Sequence, residues 1–315
     1  MKKIFVLFFL VLLASCSTSL ITEKASLKPL AEMSYKCYGF GSTTDGKNIY
    51  VVGGSNNTTE YVSGSIDKYN IAGNKWSILS DSLTPRRYCN AEYIGSENKI
   101  YIFNGEYISP EMRGFVRSLE IYDLNTNQIS AGPDNPNPVI NAGSAAWHNK
   151  IYFFGGENSY GFSNYLYEYD PVKSSWKRLP DMPKAKQTSG VIIDGILYVL
   201  GGYDGNYMQT GIDAYNIKDS TWTHLGDLPI KTSAHCTASD GRRIWLVGSY
   251  NELNFLAYYD TKTKEFKNFD SNMIGRRHAG AQIIDGTLYV FGGNQYSSGS
   301  SAISGTESLD ISIIK

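Results

Sequence analysis

Short apolar runs that end at small residues dominate the hydrophobic pattern of this chain. In residues 194–202, Asp194-Gly195 precedes an apolar, aromatic-bearing segment, and Gly201-Gly202 ends it. An Asp-Gly dipeptide tolerates the positive φ angles of a tight β-hairpin. Paired glycines let the backbone leave a strand where a Cβ atom would clash. The segment therefore predicts a hairpin, a buried strand and an abrupt exit from that strand.

This unit recurs along the chain. The aromatic residues of successive copies lie 44 to 51 residues apart. A period of this length with strand-like composition indicates a β-propeller and not a helical solenoid. The copies cover residues 49–54, 100–105, 151–156, 196–202, 244–249 and 288–293.

A second landmark follows each of the first five units. A Tyr-Asn or Tyr-Asp dipeptide ends an alternating run, and a large apolar residue stands seven positions after the tyrosine. Asn or Asp followed by polar residues favours a turn. The tyrosine therefore ends one strand and the large residue opens the next, so that each repeat holds four strands. The pairs are Tyr69 with Trp76, Tyr122 with Ile129, Tyr169 with Trp176, Tyr215 with Trp222, and Tyr259 with Phe266.

Together the two landmarks resemble kelch repeats, from about residue 24 onward. The departures are Asn104 in place of a first glycine, Ser249 in place of a second, and Ile129 and Phe266 in place of Trp. The resemblance implies an all-β fold, a six-bladed kelch-type β-propeller with one repeat in each blade.

The two ends of the repeat array complement each other. Residues 308–311 align with the third strand of the other repeats, and no fourth strand follows them. Residues 25–30 resemble a fourth strand that lacks its Trp. We therefore expect the N-terminal strand to complete the last blade, which seals the ring edge. An open ring is the alternative.

The N-terminal residues predict export and lipid attachment. A basic start and an apolar run at residues 4–13 are typical of a secretory signal segment, too short for a typical membrane span. The following Leu-Ala-Ser-Cys resembles the lipobox of bacterial lipoproteins, which implies cleavage before Cys16 and lipid on its thiol. An ordinary cleavable signal with a chance cysteine is the alternative. In lipoproteins of the enterobacterial type, a non-acidic residue such as Ser17 implies the outer membrane.

The predicted organisation and location follow from these features. We expect a lipid-anchored protein of the cell envelope, at the outer membrane and either periplasmic or surface-facing. The predicted segments are a lipoprotein signal peptide at 1–15, a tether at 16–23 and the six-bladed kelch propeller at 24–315.

The net charge and the cysteine content limit which partners and which disulfides we expect. The formal net charge of the 315 residues is −1, so we expect no nucleic-acid partner, and we expect a monomer. Besides Cys16, the chain has Cys37, Cys89 and Cys236, an odd number that does not suggest a disulfide framework. Cys37 and Cys89 lie at similar places in neighbouring repeats, so a disulfide between these two is the alternative. Free buried thiols are the favoured prediction.

Candidate binding residues fall on one face of the predicted ring. Because strands alternate in direction, the connections after each glycine pair and the links between blades emerge together, on what we call the loop face. The turns within blades, such as Asp194-Gly195, form the opposite turn face. Tyrosines with Asn, Asp and Glu suit sugars, whereas convergent arginines suit a carboxylate. The predicted ligand contacts are Arg86, Arg87, Tyr107, Tyr160, Tyr203, Tyr207, Tyr250, Arg276, Arg277 and Tyr296.

These residues favour a non-catalytic module that binds a glycan or an envelope protein. The alternative for the individual residues is structural: the arginines brace loops and the tyrosines pack on neighbouring blades. The four histidines lie in different repeats and lack metal-ligand spacing, and no nucleotide-binding or hydrolase motif is present. The sequence predicts no metal and no cofactor.

One enzyme function is retained as the alternative. The repeats are similar to those of exported bacterial kelch propellers related to N-acetylneuraminate epimerase, a sialic acid mutarotase. This resemblance implies a cofactor-independent mutarotase or epimerase for a sialic-acid-like carboxylated sugar, with an acid/base and an arginine clamp. The candidates are Glu106 or His278 as acid/base, and Arg87, Arg276 or Arg277 as the clamp.

Overall fold

A computed structural model describes residues 23–56, 62–109, 113–295 and 302–314. The predicted signal peptide, the lipidation residue Cys16 and the candidate Tyr296 lie outside these ranges. Every regular element within them is a strand. Among the described residues, no helix has the length and hydropathy needed to cross a bilayer.

Six sheets, five of four strands and one of five, follow one another along the described chain and form the blades of a propeller. Two short N-terminal strands come first, β1 (Glu23–Ala25) and β2 (Lys28–Pro29). Blade one contains β3 (Gly41–Thr44), β4 (Asn48–Val52), β5 (Ile66–Asn70) and β6 (Lys75–Ser80). Blade two contains β7 (Asn90–Ile94), β8 (Lys99–Phe103), β11 (Glu120–Asp123) and β12 (Gln128–Ala131), and its loop carries the hairpin β9 (Glu106–Ile108) and β10 (Arg113–Phe115).

The remaining four blades repeat this order. Blade three contains β13 (Gly143–Trp147), β14 (Lys150–Phe154), β17 (Leu166–Asp170) and β18 (Ser175–Leu179), with the loop hairpin β15 (Glu157–Asn158) and β16 (Gly161–Phe162). Blade four contains β19 (Gln187–Ile193), β20 (Ile196–Tyr203), β21 (Gln209–Asn216) and β22 (Thr221–Thr232). Blade five contains β23 (Cys236–Ser239), β24 (Arg243–Val247), β25 (Leu256–Asp260) and β26 (Phe266–Ser271), and blade six contains β27 (Gly280–Ile284), β28 (Thr287–Phe291) and β29 (Thr306–Asp310).

The turns and the aromatic pairs explain why the repeats fold into blades. Asp194 and Gly195 have φ angles of 49° and 77°, as a two-residue hairpin between β19 and β20 requires. In blade three the rings of Tyr169 and Trp176 lie 4.7 Å apart across β17 and β18. The Trp176 indole also donates to the carbonyl of Pro133 in the preceding link, at 3.1 Å. The second sequence landmark therefore joins strands within a blade and connects neighbouring blades.

The hydrophobic core is divided between adjacent blades. In one cluster, Tyr101 and Phe103 of blade two pack with Phe153 and Tyr169 of blade three, and all four are buried. Burial of such large apolar side chains contributes about 1.5–3 kcal/mol for each residue. Because each cluster needs two blades, every blade is stabilised by its neighbours on both sides.

The predicted ring closure is confirmed, with one addition. Strand β2 pairs antiparallel with β29, Lys28 opposite Ser308 and Pro29 opposite Glu307, and so supplies the fourth strand of blade six. Strand β1 was not predicted, and it pairs in parallel with β26 at the outer edge of blade five. The N-terminal segment therefore joins blades five and six.

Candidate functional site

The mouth of the central channel is built from one equivalent position in each blade. These rim positions are Gly39, Tyr88, Asn141, Gln187, Ala234 and His278; five lie two residues before the first ladder pair of an inner strand, and Gln187 lies two residues before Ser189, where regular pairing of β19 resumes after a bulge. All except Gln187 have a positive φ. Because this conformation recurs in five blades, it belongs to the architecture and is not by itself the sign of a reactive residue.

Backbone hydrogen bonds connect successive rim positions around the mouth. The amide of Gly39 donates to the carbonyl of His278 at 2.9 Å, Tyr88 donates to Gly39, and Asn141 donates to Tyr88 at 3.4 Å. The amide of His278 donates to the carbonyl of Ala234 at 2.9 Å. This arrangement fixes the directions in which the rim side chains leave the backbone.

Two rim side chains meet because the position between them is glycine. The rings of Tyr88 from blade two and His278 from blade six are 5.2 Å apart, on either side of Gly39 of blade one. A Cβ atom on Gly39 would lie 2.8 Å from Cδ1 of Tyr88. The absence of a side chain at Gly39 therefore makes room for the tyrosine ring.

Two arginines hold Glu106 beside this aromatic pair. Arg87 contacts Oε1 of Glu106 at 2.8 Å, and Arg113 contacts Oε2 at 2.7 Å. The Glu106 carboxylate is buried, whereas the Arg113 side chain is 65% exposed. Arg87 also donates to the hydroxyl of Tyr38 at 3.3 Å. Glu106 therefore bridges two guanidinium groups, which argues against the acid/base role considered for it.

A third arginine, Arg277, directly precedes His278 in the chain. The guanidinium of Arg277 stands over the ring of Tyr250, 4.1 Å from its centroid. Burial, together with the positive charges of Arg277 and Arg87, lowers the pKa of His278 well below its ordinary value. The imidazole is therefore neutral at physiological pH. We call Arg87, Arg113, Arg277, Glu106, Tyr88, Tyr250 and His278 the mouth cluster.

The structure corrects the prediction for Arg86 and Arg276. Both side chains are fully buried, and each pairs with a carboxylate on the third strand of its blade, Glu120 and Glu307 respectively. Their other donors bind backbone carbonyls, such as those of Ser118 and Gly305. These two arginines brace the blade links from inside and lie out of reach of a ligand on the loop face.

The predicted tyrosines within the described ranges do not form one patch. Tyr160 and Tyr207 are 98% and 69% exposed at the tips of the loops of blades three and four. Tyr203 is half-buried and packs edge-on against Phe162, with ring centroids 5.8 Å apart. Tyr107 is half-buried in β9. Of the predicted tyrosines that the structure describes, Tyr250 alone belongs to the mouth cluster.

Below the mouth, inner strands of all six blades enclose a channel of about 490 Å³. Glu92 lies in its wall, and Oε1 of Glu92 accepts a hydrogen bond from the Ser144 hydroxyl at 2.6 Å. Burial raises the pKa of Glu92 to about 7. In the described ranges, no cluster of three or more His, Cys, Asp or Glu side chains is arranged to hold a metal ion. Cys37, Cys89 and Cys236 are free thiols.

Sequence reasoning missed several members of the mouth cluster. Arg113 lies in the loop after the second glycine unit, but a lone arginine seven residues from Glu106 gave no sign that it returns to that carboxylate. Tyr88 follows Arg87 directly in the blade link and was not among the predicted contacts. The shared position of Tyr88 and His278 relative to the glycine units was the available signal.

Comparison with known proteins agrees with the fold. The family model described as the KLHDC2/KLHL20/DRC7 Kelch-repeats domain matches residues 39–249. The chain is 25% identical over 209 residues to Kelch-like protein 25 of Xenopus tropicalis, covering 63% of this chain and 34% of that protein. It is 27% identical over 233 residues to Kelch-like protein 38 of Rattus norvegicus, covering 72% of this chain and 39% of that protein. It is 31% identical over 130 residues to Kelch repeat and BTB domain-containing protein 2 of cowpox virus, covering 41% of this chain and 23% of that protein. The matched part is therefore well under half the length of each relative.

Proposed function

Because this chain belongs to the KLHDC2/KLHL20/DRC7 Kelch-repeats domain family, we propose that it is a non-catalytic binding module, held at the cell envelope by lipid on Cys16. Its partner is a protein or a glycan that presents a carboxylate to the loop face. The lipid anchor is supported by the apolar leader that ends at Cys16, and Ser17 favours the outer membrane.

The mouth cluster is the observation that carries this proposal. It places three guanidinium groups and one carboxylate together beside the channel mouth. Arginine can grip a carboxylate with two parallel hydrogen bonds. The rings of Tyr88 and Tyr250 supply flat apolar area next to the same groups. An acidic peptide side chain, a chain terminus or an acidic sugar has the matching chemistry.

Binding to carboxylate-bearing and carboxylate-blocked probes tests this proposal. We expect acidic peptides or acidic glycans to bind, and their amidated or esterified counterparts to bind poorly. Arg113→Gln and Arg277→Gln should weaken binding roughly tenfold or more, because a hydrogen bond to a charged group contributes about 1.5–3 kcal/mol. Arg178→Gln is the matched control, since Arg178 pairs with Asp181 at the outer edge of blade three. Equal affinity for free and blocked probes would contradict the proposal.

The sugar mutarotase remains a second candidate because of His278. Its imidazole packs against Tyr88 and feels the positive charges of Arg277 and Arg87, which suits an acid/base next to a carboxylate clamp. A mutarotation assay on sialic acid separates the two functions. Rate enhancement that is lost in His278→Gln supports the enzyme, whereas binding without rate enhancement supports the module.

A further inference from the structure

The N-terminal segment enters the propeller from the turn face. Strand β26 runs from the turn at 261–264 toward the blade link on the loop face. Strand β1 pairs with β26 in parallel, with Glu23 beside Phe269 and Ala25 beside Ser271. Parallel pairing means that β1 also runs toward the loop face. Glu23, the first described residue, is therefore at the turn-face end of β1.

Several contacts fix this direction. Ala25 and Leu27 are buried, at 3% and 4% exposure. Asn272 accepts a hydrogen bond from the Leu27 amide at 2.7 Å and donates to the Leu27 carbonyl at 3.2 Å. Lys267 of β26 pairs with Glu23 at 2.8 Å. The segment is thus held by side-chain packing, by backbone pairing and by an ion pair.

We propose that the turn face of the propeller lies against the membrane, so that the loop face and its mouth cluster point away from it. This inference rests on the lipid anchor at Cys16 proposed above. Seven peptide steps separate Cys16 from Glu23 and span at most about 25 Å when fully extended. A five-residue strand is itself about 17 Å long, so the tether is not much longer than one blade is deep. The ring therefore stays close to the surface that holds Cys16.

The composition of the turn face fits a lipid surface. Lys262 and Lys264 are exposed in the turn that leads into β26, next to the point of entry. Val172 and Ile313 are 89% and 73% exposed at turn-face positions of blades three and six. Lysine ammonium groups are attracted to lipid phosphates, and exposed apolar side chains suit the boundary between headgroups and acyl chains.

Lysine footprinting on membranes tests the orientation without any substitution. The acylated chain is reconstituted in phosphatidylethanolamine–phosphatidylglycerol vesicles and treated with an amine acetylating reagent, beside the same protein in detergent. Mass spectrometry then reads each lysine. We expect Lys262 and Lys264 to lose reactivity on vesicles, while the loop-face lysines keep it. Those matched controls are three exposed lysines: Lys36 and Lys184 in blade links, and Lys231 at the loop-face end of β22.

The outcomes separate this inference from the anchor on which it rests. The mass of the mature chain reports whether Cys16 is acylated, and an unmodified Cys16 overturns the anchor. The orientation is then tested on the chain that starts at Cys16, with a lipid thioester ligated to that N-terminal cysteine. Selective protection of Lys36, Lys184 and Lys231, or equal reactivity of both sets on vesicles and in detergent, would overturn the orientation. Lys173, in the turn of blade three, reports the tilt, because it is protected only if the whole turn face meets the bilayer.

Discussion

Arg86 and Arg87 are adjacent in the chain, but their guanidinium groups lie in different environments. Arg86 is fully buried against Glu120, whereas Arg87 is partly exposed at the mouth and contacts Glu106. Arg276 and Arg277 repeat this division in blade six. Neighbouring residues of extended backbone point to opposite sides, so one arginine of each pair enters the blade and the other meets the channel. Arg-Arg at a blade link therefore combines an internal brace with a surface cation.

The buried brace gives a prediction for stability. Arg276→Gln should lower the free energy of unfolding by about 3–5 kcal/mol, because it leaves the buried Glu307 carboxylate without its cation. The double variant Arg276→Met, Glu307→Leu should recover much of this loss, since both charges are then removed. Urea unfolding followed by tryptophan fluorescence measures the difference. Arg178→Gln, at a half-exposed ion pair, should cost less than about 1 kcal/mol. If Arg276→Gln and Arg178→Gln lower the free energy of unfolding by similar amounts, burial does not determine how much an ion pair contributes to stability.

At the scale of elements, the N-terminal segment has two different roles. Strand β2 completes blade six and was expected, because the last repeat lacks a fourth strand. Strand β1 adds a fifth strand to blade five, and nothing in the repeat pattern indicated it. Leu27 lies between the two strands and is buried with Trp245, Phe269 and Leu309. The same few residues therefore seal two blades.

Leu27→Ala tests how much the ring depends on this seal. We expect the free energy of unfolding to fall by about 2–5 kcal/mol, the usual cost of truncating a buried leucine in a core that cannot collapse around the cavity. The neighbouring Lys28→Ala, at an exposed position of β2, serves as the control and should have little effect. Denaturant midpoints of the two variants are compared with that of the parent chain. If Leu27→Ala is no more harmful than Lys28→Ala, the segment does not stabilise the ring.

At the scale of the whole molecule, ring closure brings inner strands from distant repeats around one channel. The wall contains Glu92, which shares a hydrogen bond with Ser144 of the next blade. Its carboxyl group has lost much of its hydration, which favours the neutral form. Neither the burial nor the partner is visible in the local sequence around Glu92.

The raised pKa of Glu92 predicts a dependence of stability on pH. Between the ordinary value of 4.5 and about 7, the folded state holds a proton that the unfolded state has released. Stability should therefore fall as pH rises through this window, by at most about 1.4 kcal/mol per pH unit, and less where channel water screens the charge. Below pH 4.5 Glu92 is protonated in both the folded and the unfolded state, so its titration does not change the free energy of unfolding. Above about pH 7 it is ionised in both states, and the full loss of stability has been reached.

Glu92→Gln should remove this contribution, because the amide can accept the Ser144 hydrogen bond without a charge. Thermal unfolding midpoints measured from pH 4 to pH 8 test this prediction. We expect the midpoint of the variant to rise relative to that of the parent chain as pH increases. Glu265→Gln, at an exposed position, should follow the parent curve. Parallel curves for Glu92→Gln and the parent would mean that Glu92 titrates normally in the folded protein.

The sequence alone determined the blades, their number and the closure by β2, because these depend on local signals repeated with a fixed period. Asp-Gly turns, paired glycines and Tyr–Trp spacing act within a few residues, and their recurrence gave the architecture. The tertiary structure decided which arginine of each pair is buried, that Arg113 returns to Glu106, and that Tyr88 meets His278 across Gly39. These features depend on side-chain direction and on contacts between residues that are far apart in the chain. Such contacts do not recur with the repeat period, so the sequence pattern does not predict them.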